Sequence, residues 1–284
     1  MTLTRAPMGH NATLESDDMA TTDRTHSIVI GIPHASIEVP SKLRPQFESH
    51  VDASFLRSQS DVYTDQVYKL STVRWVAARW HRFVADPNRD PDDRRDLGVI
   101  PRLGFDGRSL YRPGVTHSPK EIQSRLDEFH EPYQVELSAA LEGVNVFIDG
   151  HSMAAVGPTS SFDRSRPRPA ACVGNCGDAL GNALPGDLIT CAPDDLIFAG
   201  QSLNFHLDRH FNASLTVGIN EPFRGGYGVR RHSPPGSGRV GIQLELNQGL
   251  WWSEEAGLDQ GGLDRVRQAL IGWTDDLAAH CWKQ

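Results

Sequence analysis

Four short apolar segments stand out along the chain: Ile28 to Ile32, Val144 to Ile148, Leu215 to Ile219 and Val240 to Leu246. Their length is that of β-strands, and the first two are nearly unbroken, as strands buried on both faces are. Between them the apolar spacing widens to three or four residues. This predicts helices over 53 to 71, from Ser118 towards Leu141, from Asp194 to about Phe211, and from Leu263 to about His280. Ser118-Pro119-Lys120-Glu121 marks one helix start closely, with a capping serine, proline at the first helical position and glutamate at the third. Strands alternating with helices predict an α/β fold, a sheet covered on both faces in three α/β/α layers. Residues 1 to 26, rich in Thr, Asp and Met and without apolar period, are expected to form a flexible leader, leaving 27 to 284 as one domain. The Pro- and Gly-rich stretches 86 to 117, 157 to 192 and 222 to 239 read as long ordered loops, which in a compact domain build a site.

Composition narrows the partners. Against 36 acids the 284 residues hold 28 Lys and Arg, a net charge of -8. There is no long basic run, so general affinity for nucleic acid or an anionic membrane is not expected. No apolar stretch approaches the roughly 20 residues of a membrane span, and with no signal-like apolar core at the N-terminus the expected location is the cytoplasm. An acidic chain that binds anions must do so with a few placed arginines. The four cysteines form no dense disulfide framework, and Cys172 and Cys176 lack a second pair with zinc-site spacing, so they read as thiols.

The chemistry gathers where strands end. Ile28 to Ile32 leads into Pro33-His34, Val144 to Ile148 into Asp149-Gly150-His151-Ser152, and Val240 to Leu246 carries Glu245 near its end. The carboxyl edge of an open α/β sheet is where ligands bind, and a histidine on a rigid element is held as a metal ligand must be. Asp61 and Asp65, four apart on a predicted helix, share a face. Two histidines and a carboxylate with one open position make up a catalytic zinc site. Glu245, an acid within an apolar strand, is a candidate base. In Ala85-Asp86-Pro87-Asn88-Arg89-Asp90-Pro91, Arg89 can grip a carboxylate through two hydrogen bonds and Asn88 can add a third. The plainer reading of that string is a surface ion pair among Asp86, Arg89 and Asp90.

In order, PHASIEVP, SDVYTD, DPNRDP, FDGRSLYRPG, DGHS, NEPFRGGYGVRR and IQLELNQ resemble the N-formylglutamate amidohydrolase family, from about Ile28 to Trp252. The resemblance implies a zinc-dependent α/β fold with a mixed central sheet, similar to that of carboxypeptidases and aspartoacylases. It also implies removal of the formyl group from N-formylglutamate, a step of histidine degradation. By position it implies one zinc ion on His34, Asp61 and His151, Glu245 as the base that activates water, and Asn88 and Arg89 as holders of the substrate carboxylate. Arg230 is implied as a further carboxylate or oxyanion contact. The expected partner is thus a small anionic N-acyl amino acid. Two positions depart from the pattern: Glu38 lies four residues after His34, outside the His-x-x-Glu spacing of carboxypeptidases, and Ala154 stands where formylglutamate-specific members have an arginine. The alternatives are a related zinc hydrolase of a peptide or cell-wall amide, and a non-catalytic binding protein on the same fold.

Other motifs fall short of a site. His206 and His210 have helical metal-pair spacing, but Leu207 stands where a zinc protease has glutamate. Ser152 lacks the Gly-x-Ser-x-Gly elbow, and the Gly225-Gly226 and PPGSG segments match no phosphate-binding spacing.

Overall fold

The structure is a computed structural model that describes residues 27–158 and 161–281; the leader expected over residues 1 to 26 lies outside the described residues. Its main sheet has six strands, β1 (Ile28–Ile32), β2 (Arg74–Ala77), β3 (Val146–Met153), β4 (Ala171–Gly174), β5 (Val217–Ile219) and β6 (Val240–Asn247). They lie in the order β2-β1-β3-β6-β4-β5. Only the β4–β6 pairing is antiparallel, so the sheet is mixed as expected.

The two-residue period of the strands separates two cores. Ile28, Ile30, Ile32, Val146, Ile148, Ile242, Leu244 and Leu246 pack together on one face with Leu196, Ala199 and Leu203 of helix α5 (Pro193–Phe211) and Val266, Leu270 and Trp273 of α7 (Gln260–Cys281). On the other face Val29 and Phe147 meet Tyr133 and Leu137 of α4 (Glu131–Ala140) and Val229 of α6 (Tyr227–His232). These are the three layers that the alternation of elements predicts. Burying each large aliphatic or aromatic side chain contributes about 1.5–3 kcal/mol. Along β6, Ile242, Leu244 and Leu246 face the first core, which leaves Gln243, Glu245 and Asn247 for the second face.

Several elements differ from the sequence pattern. β3 runs on through Asp149-Gly150-His151-Ser152, which therefore lie in the sheet rather than after it, because β3 stays paired with β6 as far as Met153–Asn247. β5 starts two residues later than its apolar run. β4 and α6 fall in segments read as loops and β2 in a stretch given no element, since four to six residues are too few to display a period. The helix expected over 53 to 71 is two, α1 (Ala53–Ser58) and α2 (Thr64–Tyr68), separated by residues 59 to 63, the last of which, Tyr63, takes φ 61°, a left-handed conformation no helix can run through. Asp61 consequently sits in a turn and shares no helical face with Asp65.

The capping box forms at the head of α3 (Pro119–Arg125), where Glu121 N donates to Ser118 Oγ at 3.3 Å and Ser118 N donates to Glu121 Oε2 at 2.7 Å. A π turn over Leu126–His130 carries α3 into α4. Ser118→Ala is expected to cost about 1 kcal/mol, read as a lower urea midpoint with an unchanged slope.

Candidate active site

The second face of the sheet carries the site, at the carboxyl ends of β1, β3 and β6. His34 follows β1, Asp61 lies in the turn between α1 and α2, and His151 on β3 is the direct register partner of Glu245 on β6. Backbone bonds tie these together: Asp61 N donates to His34 O at 3.0 Å, and Ser152 N donates to Asp61 Oδ2 at 3.1 Å. From beneath, Tyr68 on α2 donates its hydroxyl to His151 O at 2.7 Å. Gly150 makes that approach possible, because a Cβ there would lie 3.0 Å from the Tyr68 ring and 3.1 Å from Gly31 O.

His34, Asp61 and His151 are 3%, 6% and 3% exposed, and one ligand atom of each lies within 4.8 Å of the others. His34 Nδ1 is 3.8 Å and His151 Nδ1 3.2 Å from Asp61 Oδ2. Donors on one tetrahedral zinc, each about 2.0–2.2 Å from it, are separated by roughly 3.3–3.6 Å, so these two spacings bracket what an ion requires. The opposite ring nitrogens face polar neighbours. His34 Nε2 lies 2.8 Å from Asp86 Oδ1 and 2.8 Å from Arg82 Nη2. His151 Nε2 lies 3.3 Å from Asp149 Oδ1 and 2.9 Å from Asn88 Nδ2. A carboxylate behind a histidine is the usual support of a metal ligand.

Charge points the same way. With both imidazoles neutral, Asp61, Asp86 and Asp149 against Arg82 leave two negative charges in a buried group, the complement of a divalent cation. Burial alone would raise the Asp61 pKa, yet its hydrogen bonds with His151 and His34 hold it below the ordinary carboxylate value. Asp86 is likewise lowered, burial being outweighed by Arg82 and His34. Burial would lower His151, but Asp149 and Asp61 raise it well above its ordinary value. A metal binding at this histidine displaces a proton.

Glu245 is 8% exposed, and burial pushes its pKa up to about 7 against the lowering effect of His151. Gln243 Nε2 donates to its Oε1 at 3.1 Å. A carboxyl group ionising near neutrality suits a general base.

The residues expected to hold substrate are placed unequally. Asn88 is buried inside the group, its Oδ1 accepting from Gly228 N at 2.6 Å. Gly228 has room for nothing larger, since a Cβ would fall 2.8 Å from Asp149 Oδ2. Arg89 is half-buried and donates to Leu97 O at 3.1 Å and to Asn88 O at 3.3 Å. Arg230, exposed on α6, donates from Nε to Cys176 Sγ at 3.2 Å. The fold thus gathers His34, Asp61, His151, Glu245 and Asn88, with both arginines anchored to neighbouring groups. Asp65 faces Lys69 at 4.0 Å instead, and Ala154 is exposed just beyond β3.

Sequence reasoning passed over Arg82 and misplaced Asp86, which is 2% exposed and paired with Arg82 at 3.1 Å rather than part of a surface pair with Arg89. Nothing in the sequence marks Arg82. Asp149 was read as lying beyond the strand end, which hid that it shares a face with His151 two residues on. The other buried histidines bond elsewhere: His206 meets Asp276 at 3.0 Å, His81 meets Leu56 O at 3.0 Å, His130 meets Arg89 O at 3.1 Å, and His232 meets Gln134 at 2.9 Å. Cys172, Cys176 and Cys191 are buried free thiols.

The family model described as N-formylglutamate amidohydrolase matches residues 26–252. An N-formylglutamate deformylase of Pseudomonas putida is 26% identical over 273 residues, covering 87% of this chain and 92% of its own length. One from Pseudomonas aeruginosa is 25% identical over 244 residues, with 81% and 83% covered. Among solved structures, an N-formylglutamate amidohydrolase from Ralstonia eutropha JMP134 shares the fold at a TM-score of 0.67 and 20% identity, over 90% of this chain and 94% of that one. Sequence order, fold and the match over most of its length agree that this chain belongs to the N-formylglutamate amidohydrolase family.

Proposed function

We propose that the chain is a zinc-dependent amidohydrolase that cleaves the formyl amide of N-formylglutamate, or of a closely similar N-acyl amino acid, to formate or the free acid and the amino acid. The observation that carries this reading is the convergence of His34 Nδ1, Asp61 Oδ2 and His151 Nδ1 with Glu245 in register beside them. Family membership supplies the amide class, the activity named for the Pseudomonas relatives.

His34, Asp61 and His151 would hold the ion. Zinc bound there would supply a water that ionises near pH 7 and a Lewis acid for the scissile carbonyl. Glu245 takes the proton from the attacking water and delivers it to the departing amine nitrogen. Asn88 and Arg89 hold the substrate carboxylate, so that the amide is presented to Glu245 in a fixed orientation. Arg230 contributes a positive charge to a second carboxylate or to the developing oxyanion.

A panel of formyl, acetyl and peptidyl amino acids, with and without a chelator, tests this reading. Turnover of the formyl compound is expected to be fastest and to disappear on chelation. Turnover that persists in chelator rejects the metal, and preference for a peptide rejects the substrate. Arg89→Ala is expected to raise KM for an anionic substrate, by about tenfold for the loss of about 1.4 kcal/mol of carboxylate binding. Unchanged kinetic constants would remove Arg89 from the site.

A further inference from the structure

Directly below His151 and Glu245, one step back along the same two strands, lies a second pair of side chains. Asp149 and Gln243 are register partners on β3 and β6, as His151 and Glu245 are. The two-residue period puts all four on one face. Each lower residue reaches the upper residue of its own strand: Asp149 Oδ1 is 3.3 Å from His151 Nε2, and Gln243 Nε2 donates to Glu245 Oε1 at 3.1 Å. Both are buried, and the backbone of Gly228 on α6 closes the layer over Asp149.

We propose that Asp149 and Gln243 form a positioning tier, Asp149 setting metal affinity through His151 and Gln243 setting the aim of Glu245. The inference rests on the reading of His34, Asp61 and His151 as zinc ligands. A neutral histidine that binds through Nδ1 carries its proton on Nε2. Of the two groups facing His151 Nε2, Asn88 presents a donor, because its Oδ1 is already held by Gly228 N. Asp149 is the acceptor able to take that proton. With zinc on Nδ1 the ring proton lies on Nε2, where Asp149 would accept it, and the charge of Asp149 strengthens the ring as a ligand.

Gln243 acts on the neighbouring strand. Its donor fixes one oxygen of Glu245, which leaves the other to exchange protons. The Gln243 Oε1 atom has no hydrogen-bond partner among the described residues, so the contact with Glu245 is what the side chain provides.

The test is zinc affinity, measured by competition with a chromophoric chelator on wild type, Asp149→Asn and Gln243→Met, with thermal unfolding in chelator as a check on folding. Asp149→Asn is expected to bind zinc about 10–100-fold more weakly with its metal-free unfolding temperature retained. Gln243→Met is expected to keep wild-type affinity while kcat falls about tenfold at unchanged KM. Wild-type zinc affinity in Asp149→Asn overturns the tier, and wild-type kcat in Gln243→Met overturns the role of Gln243. If wild type itself binds no zinc, the ligand reading has failed first. Should Asp149→Asn not fold, the His151 Nε2 proton in the NMR spectrum of zinc-loaded wild type decides: a proton shifted downfield and slow to exchange, as in a carboxylate hydrogen bond, supports the tier, and one that exchanges freely with solvent overturns it.

Discussion

Glu245→Gln is expected to reduce amide hydrolysis by at least about 10²–10⁴-fold while zinc content stays at the wild-type level. Glutamine has the same shape and can still accept the hydrogen bond from Gln243 Nε2, so the floor of the site is preserved. What it lacks is an oxygen that can gain and release a proton. Because the metal group comprises His34, Asp61 and His151 and does not include Glu245, metal retention separates loss of the base from loss of the ion. Steady-state turnover together with metal analysis of the same preparation checks the result. A variant that still turns over would transfer the role to another group. The wild-type pH profile provides a companion measurement. A base must be ionised, so kcat/KM should rise with pH through the pKa of Glu245. Burial places that value at about 7, and a neighbouring cation lowers it, so the acid limb is expected at or below pH 7.

His151→Ala is expected to lose both the metal and the activity, and removing the ion from wild type with a chelator should give the same loss, reversed by added zinc. The substitution removes one of the three proposed ligands and leaves Asp61 and Asp149 buried beside each other's charge with no imidazole between them. A readout independent of turnover is available. Zinc at 100 times its dissociation constant should stabilise wild type by about 2.7 kcal/mol, seen as a rise in unfolding temperature. In His151→Ala that rise should vanish. A variant that is still stabilised by zinc would place the ion elsewhere.

Much of this site could be anticipated from the chain because it is built on short-range periodicity. Glu245 was legible as an acid within an apolar strand, and the structure puts it with Gln243 on the face opposite Ile242 and Leu244. His34 and His151 were likewise visible as histidines following buried strands, although β3 runs on through His151. The Ser118–Glu121 cap was legible for the same reason, since all its atoms lie within one helical turn.

The remainder depended on contacts between distant parts of the chain. Asp86 meets His34 across 52 residues, and Arg82 meets the same ring across 48, from a segment with no regular period to reveal its direction. The separation of Asp61 from Asp65 turned on the break between Ser58 and Thr64, where the left-handed backbone of Tyr63 starts a second helix and apolar spacing alone implied a single one. By itself the sequence determined which residues face a core, which strands carry histidine and acid at their ends, and the family those motifs resemble. Only the tertiary structure decided that β1, β3 and β6 are neighbours, that His151 and Glu245 are in register, and that Arg89 and Arg230 are anchored to Leu97 and Cys176. The physical reason is that periodicity records the local choice between core and water, whereas strand order and side-chain direction follow from packing summed over the whole sheet.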